Sequence, residues 1–203
     1  MPTKAYLKIK RLMDIVLSVF LIIFFLPLFC IICLVVIVYS FGEKGVGQQK
    51  RKSRIVIAQE RIGLRGVPFT MYKIRTMRHD ASLYDVSPKH SGDDRITGLG
   101  MFLRATSLDE LPQFWNVLKG DMSLVGPRPE MPFLVATYSA HERRRLDVLP
   151  GLTGLWQVSG RKDIPLRENL SLDLYYVEHM SLWLDIKILC KTVVAVLRAK
   201  GAY

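Results

Sequence analysis

Hydrophobic and polar positions divide the chain sharply. From Ile15 to Phe41 (IVLSVFLIIFFLPLFCIICLVVIVYSF) 27 residues pass without a charge. As a straight α-helix this run would extend roughly 40 Å, more than the ~30 Å hydrocarbon core of a bilayer requires. It is too long for a signal-peptide core, and no small-residue cleavage site follows it. A membrane element is therefore expected. Pro27 sits at its centre, where a missing N–H and the ring's clash with the preceding turn bend or break a helix. Lys4, Lys8, Lys10 and Arg11 precede the run, and Lys44, Lys50, Arg51, Lys52 and Arg54 follow it. Basic flanks mark the cytoplasmic side of a membrane segment, and here both flanks qualify. A re-entrant helix hairpin over residues 1–42, broken at Pro27, satisfies both; a kinked single span is the alternative. Cys30 and Cys33 fall inside the run without a second pair or a histidine cluster, so they read as small apolar residues rather than as a redox or zinc motif.

Beyond residue 42 the pattern becomes mixed, and residues 43–203 are expected to form one compact, helix-rich α/β domain, long enough to bury its own core. Arg54–Glu60 and Pro68–Ile74 alternate like strands, with Gly63 and Gly66 marking the turn of a small β-hairpin. Residues 79–95 are polar and read as a surface loop, with a lid role left open; His79 and His90 there match no tight ligand spacing. A helical pattern returns over Gly98–Lys119, and His141–Val148 reads as a short charged helix. Leu182–Lys200 carries Ile186, Leu189, Cys190, Val193, Val194 and Leu197 on one face. That face suits either core packing or the headgroup region, as in interfacial amphipathic helices.

Composition narrows the partners. Lys and Arg number 29 against 18 Asp and Glu, a net charge of +11; the pI is near 9.7 and the mean hydropathy +0.20. Acidic disordered tails and low-complexity chains are excluded. The surplus points to an anionic partner: a phosphorylated substrate, an anionic lipid surface or nucleic acid. Residues 42–203 hold 25 of the basic and 17 of the acidic residues, so most of the surplus lies there. Three cysteines argue against a disulfide framework.

The candidate chemistry concentrates in Arg104–Glu130 (RATSLDELPQFWNVLKGDMSLVGPRPE). Ser107 and Glu110 have the spacing of a capping box at a helix start, with Asp109 and Glu110 in the first turn. Arg104 lies just before the two acids, and the twice-proline loop Gly126-Pro127-Arg128-Pro129 would hold an arginine in one geometry. Planar guanidinium groups suit phosphate, and paired carboxylates beside arginines suit phosphoryl transfer, with one acid as nucleophile or Mg²⁺ ligand. A second stretch, Pro150–Arg161 (PGLTGLWQVSGR), reads as a glycine-rich loop presenting Gln157, Ser159 and Arg161.

These motifs together resemble one family. Lys10-Arg11-x-x-Asp14, Tyr72-Lys73-Ile74-Arg75-Thr76-Met77, Thr106-Ser107-Leu108-Asp109-Glu110-Leu111-Pro112-Gln113, Asn116-Val117-Leu118-Lys119-Gly120-Asp121-Met122-Ser123, Gly126-Pro127-Arg128-Pro129 and Pro150-Gly151-Leu152-Thr153-Gly154 follow in order over nearly the whole chain. The sequence is similar to the small bacterial polyprenyl-phosphate phosphoglycosyl transferases, monotopic sugar-1-phosphate transferases of the inner membrane. The resemblance implies transfer of a sugar-1-phosphate from a UDP-sugar to undecaprenyl phosphate, with release of UMP. It implies Asp109 as nucleophile and Mg²⁺ contact, Glu110 as its assistant, and Arg104, Arg128, Arg161 and Lys73 as phosphate-binding residues; Gln157, presented by the glycine-rich loop, is a further substrate-binding candidate. The resemblance also implies a re-entrant membrane helix and a catalytic domain on the cytoplasmic face, with membrane lipids as partners, no nucleic acid, and a homodimer left open.

Two departures stand out. The family breaks its membrane helix at Ser-Pro, where this chain has Leu26-Pro27. The stretch Trp156–Arg161 resembles the larger hexose-1-phosphate transferases, whose additional membrane helices have no counterpart in these residues. The competing readings are a membrane glycosyltransferase that releases UDP and a non-catalytic basic protein that binds lipid or nucleic acid.

Overall fold

The computed structural model describes residues 2–42, 55–78, 80–82, 93–159 and 166–197. The expected loop 79–95 falls largely outside them, as do His79, His90 and Arg161.

The apolar run forms α1, Lys4–Gly42, a single helical element with Pro27 inside it. The sequence predicted a break at Pro27; the helix instead continues through the proline, which forfeits one backbone hydrogen bond without ending the element. Only 11% of its most apolar stretch is buried, so α1 is not the core helix of a water-soluble fold. Its outward residues, Phe20, Ile23, Phe24 and Val38 among them, are more than half exposed.

The hairpin forms as expected: its second strand has the expected bounds, and its first runs two residues later than Arg54–Glu60. β1 (Val56–Ile62) pairs antiparallel with β2 (Pro68–Ile74), from Val56 opposite Ile74 to Ile62 opposite Pro68. Arg65 and Gly66 have positive φ in the connecting turn, and the Gly63 N–H closes it on the Val67 carbonyl at 2.9 Å. The helical stretch over 98–119 resolves into two α-helices, the second starting after Pro112 rather than at Ser107. α2 (Gly98–Ala105) is capped by the Thr97 hydroxyl, which accepts from the Gly100 N–H at 2.9 Å. α3 (Gln113–Lys119) starts just after Pro112, where a proline is tolerated, and ends at Gly120, whose φ is 92°. Gly100 must be glycine, because a Cβ there would lie 1.9 Å from the Thr76 carbonyl oxygen.

A second small sheet was not foreseen. β3 (Ser123–Val125) and β4 (Gly151–Thr153) pair in parallel; the second lies in the stretch read as a glycine-rich loop, and three residues are too few to show a strand's period. Between them lie α4 (Pro132–Val135) and a 3₁₀ segment over Glu142–Asp147, where a short α-helix was expected. α5 (Leu155–Val158), α6 (Leu166–Glu178) and α7 (Leu182–Leu197) complete the chain. The sequence reading had α7 but not α5 or α6.

The main core gathers Met71, Val117, Met122, Leu124, Val125, Tyr176 and Ile188. Each fully buried aliphatic side chain there contributes about 1.5–3 kcal/mol relative to exposure. A second cluster joins Ile32 and Val36 of α1 to Ile74 and Leu103, so the later part of α1 shares a core with β2 and α2. On α7 the buried positions are Asp185 and Ile188. Most of the predicted apolar stripe faces away from the core: Ile186, Cys190, Val193, Val194 and Leu197 are exposed, and only Leu189 packs inward.

Candidate active site

The helical pattern over 98–119 is interrupted where the two acids lie. Ser107 adopts the left-handed conformation (φ 58°) and hands the chain to a 3₁₀ turn over Leu108–Glu110. The expected capping box does not form, since the Ser107 side chain makes no cap hydrogen bond. The Glu110 carboxylate has other partners: Lys73 Nζ and Arg128 Nη2 each donate to its Oε1 at 3.0 Å. A non-glycine residue at positive φ directly before two acids is a local cost retained where the surroundings fix the backbone.

Asp109 is 5% exposed, and among the described residues its carboxylate makes no hydrogen bond and no ion pair. The neighbouring acids are thus driven in opposite directions. Burial pushes the Asp109 carboxyl well above the usual carboxylate range, and Glu110's charge adds to that, against the pull of Lys73, Arg104 and Arg128. Burial acts the same way on Glu110, but the charges and hydrogen bonds of Lys73 and Arg128 outweigh it and hold that group low. Adjacent titratable groups pushed apart by their surroundings are a common mark of a site where each has a separate task.

Lys73 is supplied by β2 and Arg104 by the last turn of α2, where its Nε donates to Thr76 Oγ1 at 3.0 Å. Burial lowers both groups, and the nearby carboxylates oppose that. Arg128 is raised instead, chiefly by the Glu110 charge. Its loop is fixed carbonyl by carbonyl. The Gly151 N–H donates to Pro127 O at 2.8 Å, Arg145 Nη2 to Arg128 O at 2.8 Å, Arg61 Nη1 to Pro129 O at 3.5 Å, and the Ile62 N–H to Glu130 O at 3.0 Å. Four consecutive carbonyls tied to three separate parts of the chain (β1, Arg145 and Gly151) leave Arg128 little freedom except in its side chain.

Two contributors escaped the sequence reading. Arg61 is buried on β1, donates to Gln59 Oε1 at 2.7 Å, and is lowered to about 10 by burial and by the charge of Arg128 beside it. Its signal was available, because Gln59 and Arg61 alternate on one face of a strand where apolar residues are usual. Arg145 is buried among Asp173, Tyr138 and the Arg128 carbonyl, yet it stands in a charged run, Glu142–Arg145, that reads as solvated. Of the predicted residues, the structure brings Lys73, Arg104, Asp109, Glu110 and Arg128 together. Gln157 is buried on α5 with its Oε1 close to Gly154, and Arg161 lies outside the described residues.

Four basic groups (Arg61, Lys73, Arg104, Arg128) face Asp109, Glu110 and Glu130, so the cluster keeps a positive surplus suited to an anionic ligand. No group of three or more His, Cys, Asp or Glu side chains gathers among the described residues. The Asp109 carboxylate nonetheless fits Mg²⁺ of the kind bound by one or two carboxylates together with substrate phosphates.

Known proteins are similar to this chain over nearly its whole length. The family described as "Bacterial sugar transferase" matches residues 5–199. The "Uncharacterized sugar transferase EpsL" of Bacillus subtilis (strain 168) is 40% identical over 194 residues, covering 95% of this chain and 89% of that protein. The "UDP-glucose:undecaprenyl-phosphate glucose-1-phosphate transferase" of Caulobacter vibrioides is 39% identical, covering 96% of this chain and 72% of its own. The "Undecaprenyl-phosphate galactose phosphotransferase" of Salmonella typhimurium is 38% identical over 96% of this chain, which spans only 42% of that longer protein. Matched from residue 5 to 199 and 40% identical to a relative that it nearly spans, the chain belongs to the bacterial sugar transferase family.

Proposed function

We propose that the protein transfers a sugar-1-phosphate from a UDP-sugar to undecaprenyl phosphate, through a phosphosugar held covalently on Asp109. The observation that carries this reading is the division of labour within the acid pair: Glu110 is claimed by Lys73 and Arg128, while the buried Asp109 carboxylate, among the same cations, makes no hydrogen bond or ion pair with any described residue. A carboxylate with raised basicity, once ionised, is the better nucleophile of the two. An Asp109 oxygen attacks the β-phosphorus of the donor; a new P–O bond forms, the bond to the bridging oxygen breaks, and UMP leaves. A phosphate oxygen of the acceptor then attacks the same phosphorus. The bond to Asp109 breaks, the carboxylate returns, and a polyprenyl diphosphosugar is released.

Arg128, on its pinned loop, and Arg104 hold the donor's phosphate oxygens and stabilise charge in both steps, and Lys73 keeps Glu110 and Arg128 in register. Mg²⁺ at Asp109, when bound, neutralises charge on the donor diphosphate. The names of the Caulobacter and Salmonella relatives support this donor and acceptor.

The same reading holds α1 in the cytoplasmic leaflet of the bacterial inner membrane as a re-entrant element. Its support is that both ends of α1 pack on one domain: Tyr6 and Lys10 meet Asp185, and Ile32 and Val36 meet Leu103 and Ile74. A span would separate those ends by the ~30 Å core of the bilayer. Exposed Trp183, Val193 and Leu197 on α7, with Phe102 and Trp115, suit the headgroup boundary.

The testing experiment mixes protein, Mg²⁺ and undecaprenyl phosphate with a panel of UDP-sugars and scores UMP and UDP separately. UMP with one donor is the expected result and names the sugar. UDP would instead mean glycosyl transfer and would remove Asp109 from its role.

A further inference from the structure

The loop that presents Arg128 rests on a buried ion pair to which the transfer reading gives no task. Arg145, from the 3₁₀ segment Glu142–Asp147, and Asp173, on α6, are 3% and 1% exposed and meet through Nη2 and Oδ2. The guanidinium has further neighbours. The Tyr138 hydroxyl accepts from Nη1, the Tyr138 ring lies 5.5 Å from the guanidinium carbon, and Glu130 Oε1 stands 3.8 Å from Nη1. As a device for stability this arrangement is costly. Desolvating two charges offsets much of what their attraction returns. Among the described residues, Arg145 Nε and Asp173 Oδ1 are also buried without a hydrogen-bond partner, and each such atom carries its own penalty. What the pair supplies, and an apolar contact could not, is a donor. The same Nη2 that meets Asp173 donates at 2.8 Å to the carbonyl of Arg128.

We propose that Arg145, oriented by Asp173, is a positioning residue for the reaction: it fixes the Arg128 backbone so that the Arg128 guanidinium meets the donor's phosphate oxygens in one geometry. The assignment rests on the transfer reading above. Pro127 and Pro129 each lock their own φ, so the soft torsions at the centre of the loop are those of Arg128 itself. The direction of the Arg128 carbonyl is set by its ψ, and Arg145 holds that carbonyl. A small rotation there is carried down a long side chain to the guanidinium, where misplacement costs most. Arg128 is thus held at both ends, its backbone by Arg145 and its Nη2 by Glu110 at 3.0 Å. The planar fork of Arg145 is what lets one side chain reach Asp173, Tyr138 and the Arg128 carbonyl together. A lysine would keep the charge and lose that geometry.

A double-mutant cycle in UMP release tests it, with a thermal melt recorded for each variant. Arg145→Lys should lower kcat/KM for the donor by about tenfold to a hundredfold. Arg128→Lys removes the group that is being positioned, and its own loss should be at least as large. Residues that act through one another are not additive, so the double variant is expected to be no slower than Arg128→Lys alone. A merely structural role for Arg145 would not produce that result, because its cost would be carried into either background. Losses that multiply in the double variant would therefore overturn the assignment. If Arg145→Lys does not fold, Asp173→Asn enters the same cycle: it keeps the size and one acceptor and loosens the grip on Arg145. Its loss should likewise vanish in the Arg128→Lys background, and a loss that persists there would refute the proposal. Wild-type protein that releases UDP, or no nucleotide with any donor, would overturn the transfer reading itself and the assignment with it.

Discussion

Lys10 on the membrane helix and Asp185 on α7 form a buried ion pair, with Nζ 3.1 Å from Oδ2 and side chains 7% and 0% exposed. Asp185 also accepts from the Tyr6 hydroxyl at 2.8 Å and the Tyr176 hydroxyl at 2.7 Å. The start of α1 and the end of the catalytic domain are thereby fastened at one carboxylate. One turn on, Asp14 Oδ1 accepts from the Leu124 N–H at 3.0 Å. Arg11 donates to the carbonyls of Val117 and Leu118 at 2.6 and 2.8 Å, which caps α3. The Lys10-Arg11-x-x-Asp14 motif is therefore a three-point joint between membrane element and fold.

Breaking that joint on one side leaves an uncompensated buried charge. Lys10→Met should cost about 3–5 kcal/mol, read as a loss of thermal stability in detergent. The double variant Lys10→Met with Asp185→Asn should recover part of that loss, because no unpaired charge remains. A double variant as unstable as Lys10→Met alone would mean the pair contributes through packing and not through charge.

The acid pair should separate in function and stability. Asp109→Asn is expected to lower UMP release by about a thousandfold or more, as removal of a covalent nucleophile does, while thermal stability stays level or rises because a poorly solvated charge is gone. Glu110→Gln should lower both, since Lys73 and Arg128 lose their shared partner. Circular-dichroism melts beside single-turnover nucleotide release would show whether the two variants diverge in this way.

The opposite shifts of the pair also set opposite pH signs. Asp109 must be ionised to attack, and burial raises its carboxyl, so the acid limb of kcat/KM should lie above the ordinary aspartate value of 3.8. Glu110 runs the other way for stability. Its folded-state value is depressed, so its contribution is complete above the unfolded value near 4.5 and is lost as pH falls below it. Thermal melts of wild type and Glu110→Gln should therefore differ most near neutrality and converge in acid. A constant difference across pH would remove the charge interaction as its cause.

Arg128 depends on a backbone contact as much as on its own charge. A Cβ on Gly151 would lie 2.1 Å from the Gly126 nitrogen, so Gly151→Ala must force β3 and β4 apart and release the loop between them. A cost of at least about 2 kcal/mol is expected, together with a larger loss in kcat/KM than the melt alone explains. If activity tracked stability one for one, the loop would not be what holds Arg128 in place.

How much of this was legible beforehand follows from the range of each interaction. The apolar run, the hairpin and α7 are carried by local periodicity, and each was legible in the chain. The acids and Arg104 announced themselves by proximity in sequence. Arg61 and Arg145 did not, because what makes them part of the site is burial beside residues 67 and 17 positions away, near Arg128. The capping-box spacing at Ser107 and Glu110 misled for the same reason: a local bond was offered, and two distant cations, Lys73 and Arg128, outcompeted it. β3 and β4 were hidden because three residues give a period of two no room to show.

The topology of α1 yields the last prediction. With Cys30, Cys33 and Cys190 first changed to serine, since all three are free thiols, Thr3→Cys provides one reporter beside Tyr6 and Lys10. On the re-entrant reading that residue shares a face with the catalytic domain, which a second single-cysteine variant at Ser139, an exposed-loop position forming a turn with Glu142, reports independently. A membrane-impermeant thiol reagent should then label both positions in inverted vesicles and neither in intact spheroplasts. Labelling of Thr3→Cys in spheroplasts with Ser139→Cys still protected would require α1 to cross the bilayer. That result would be incompatible with the Lys10–Asp185 contact, since a side chain on the outer surface cannot reach a carboxylate buried in a domain on the inner one.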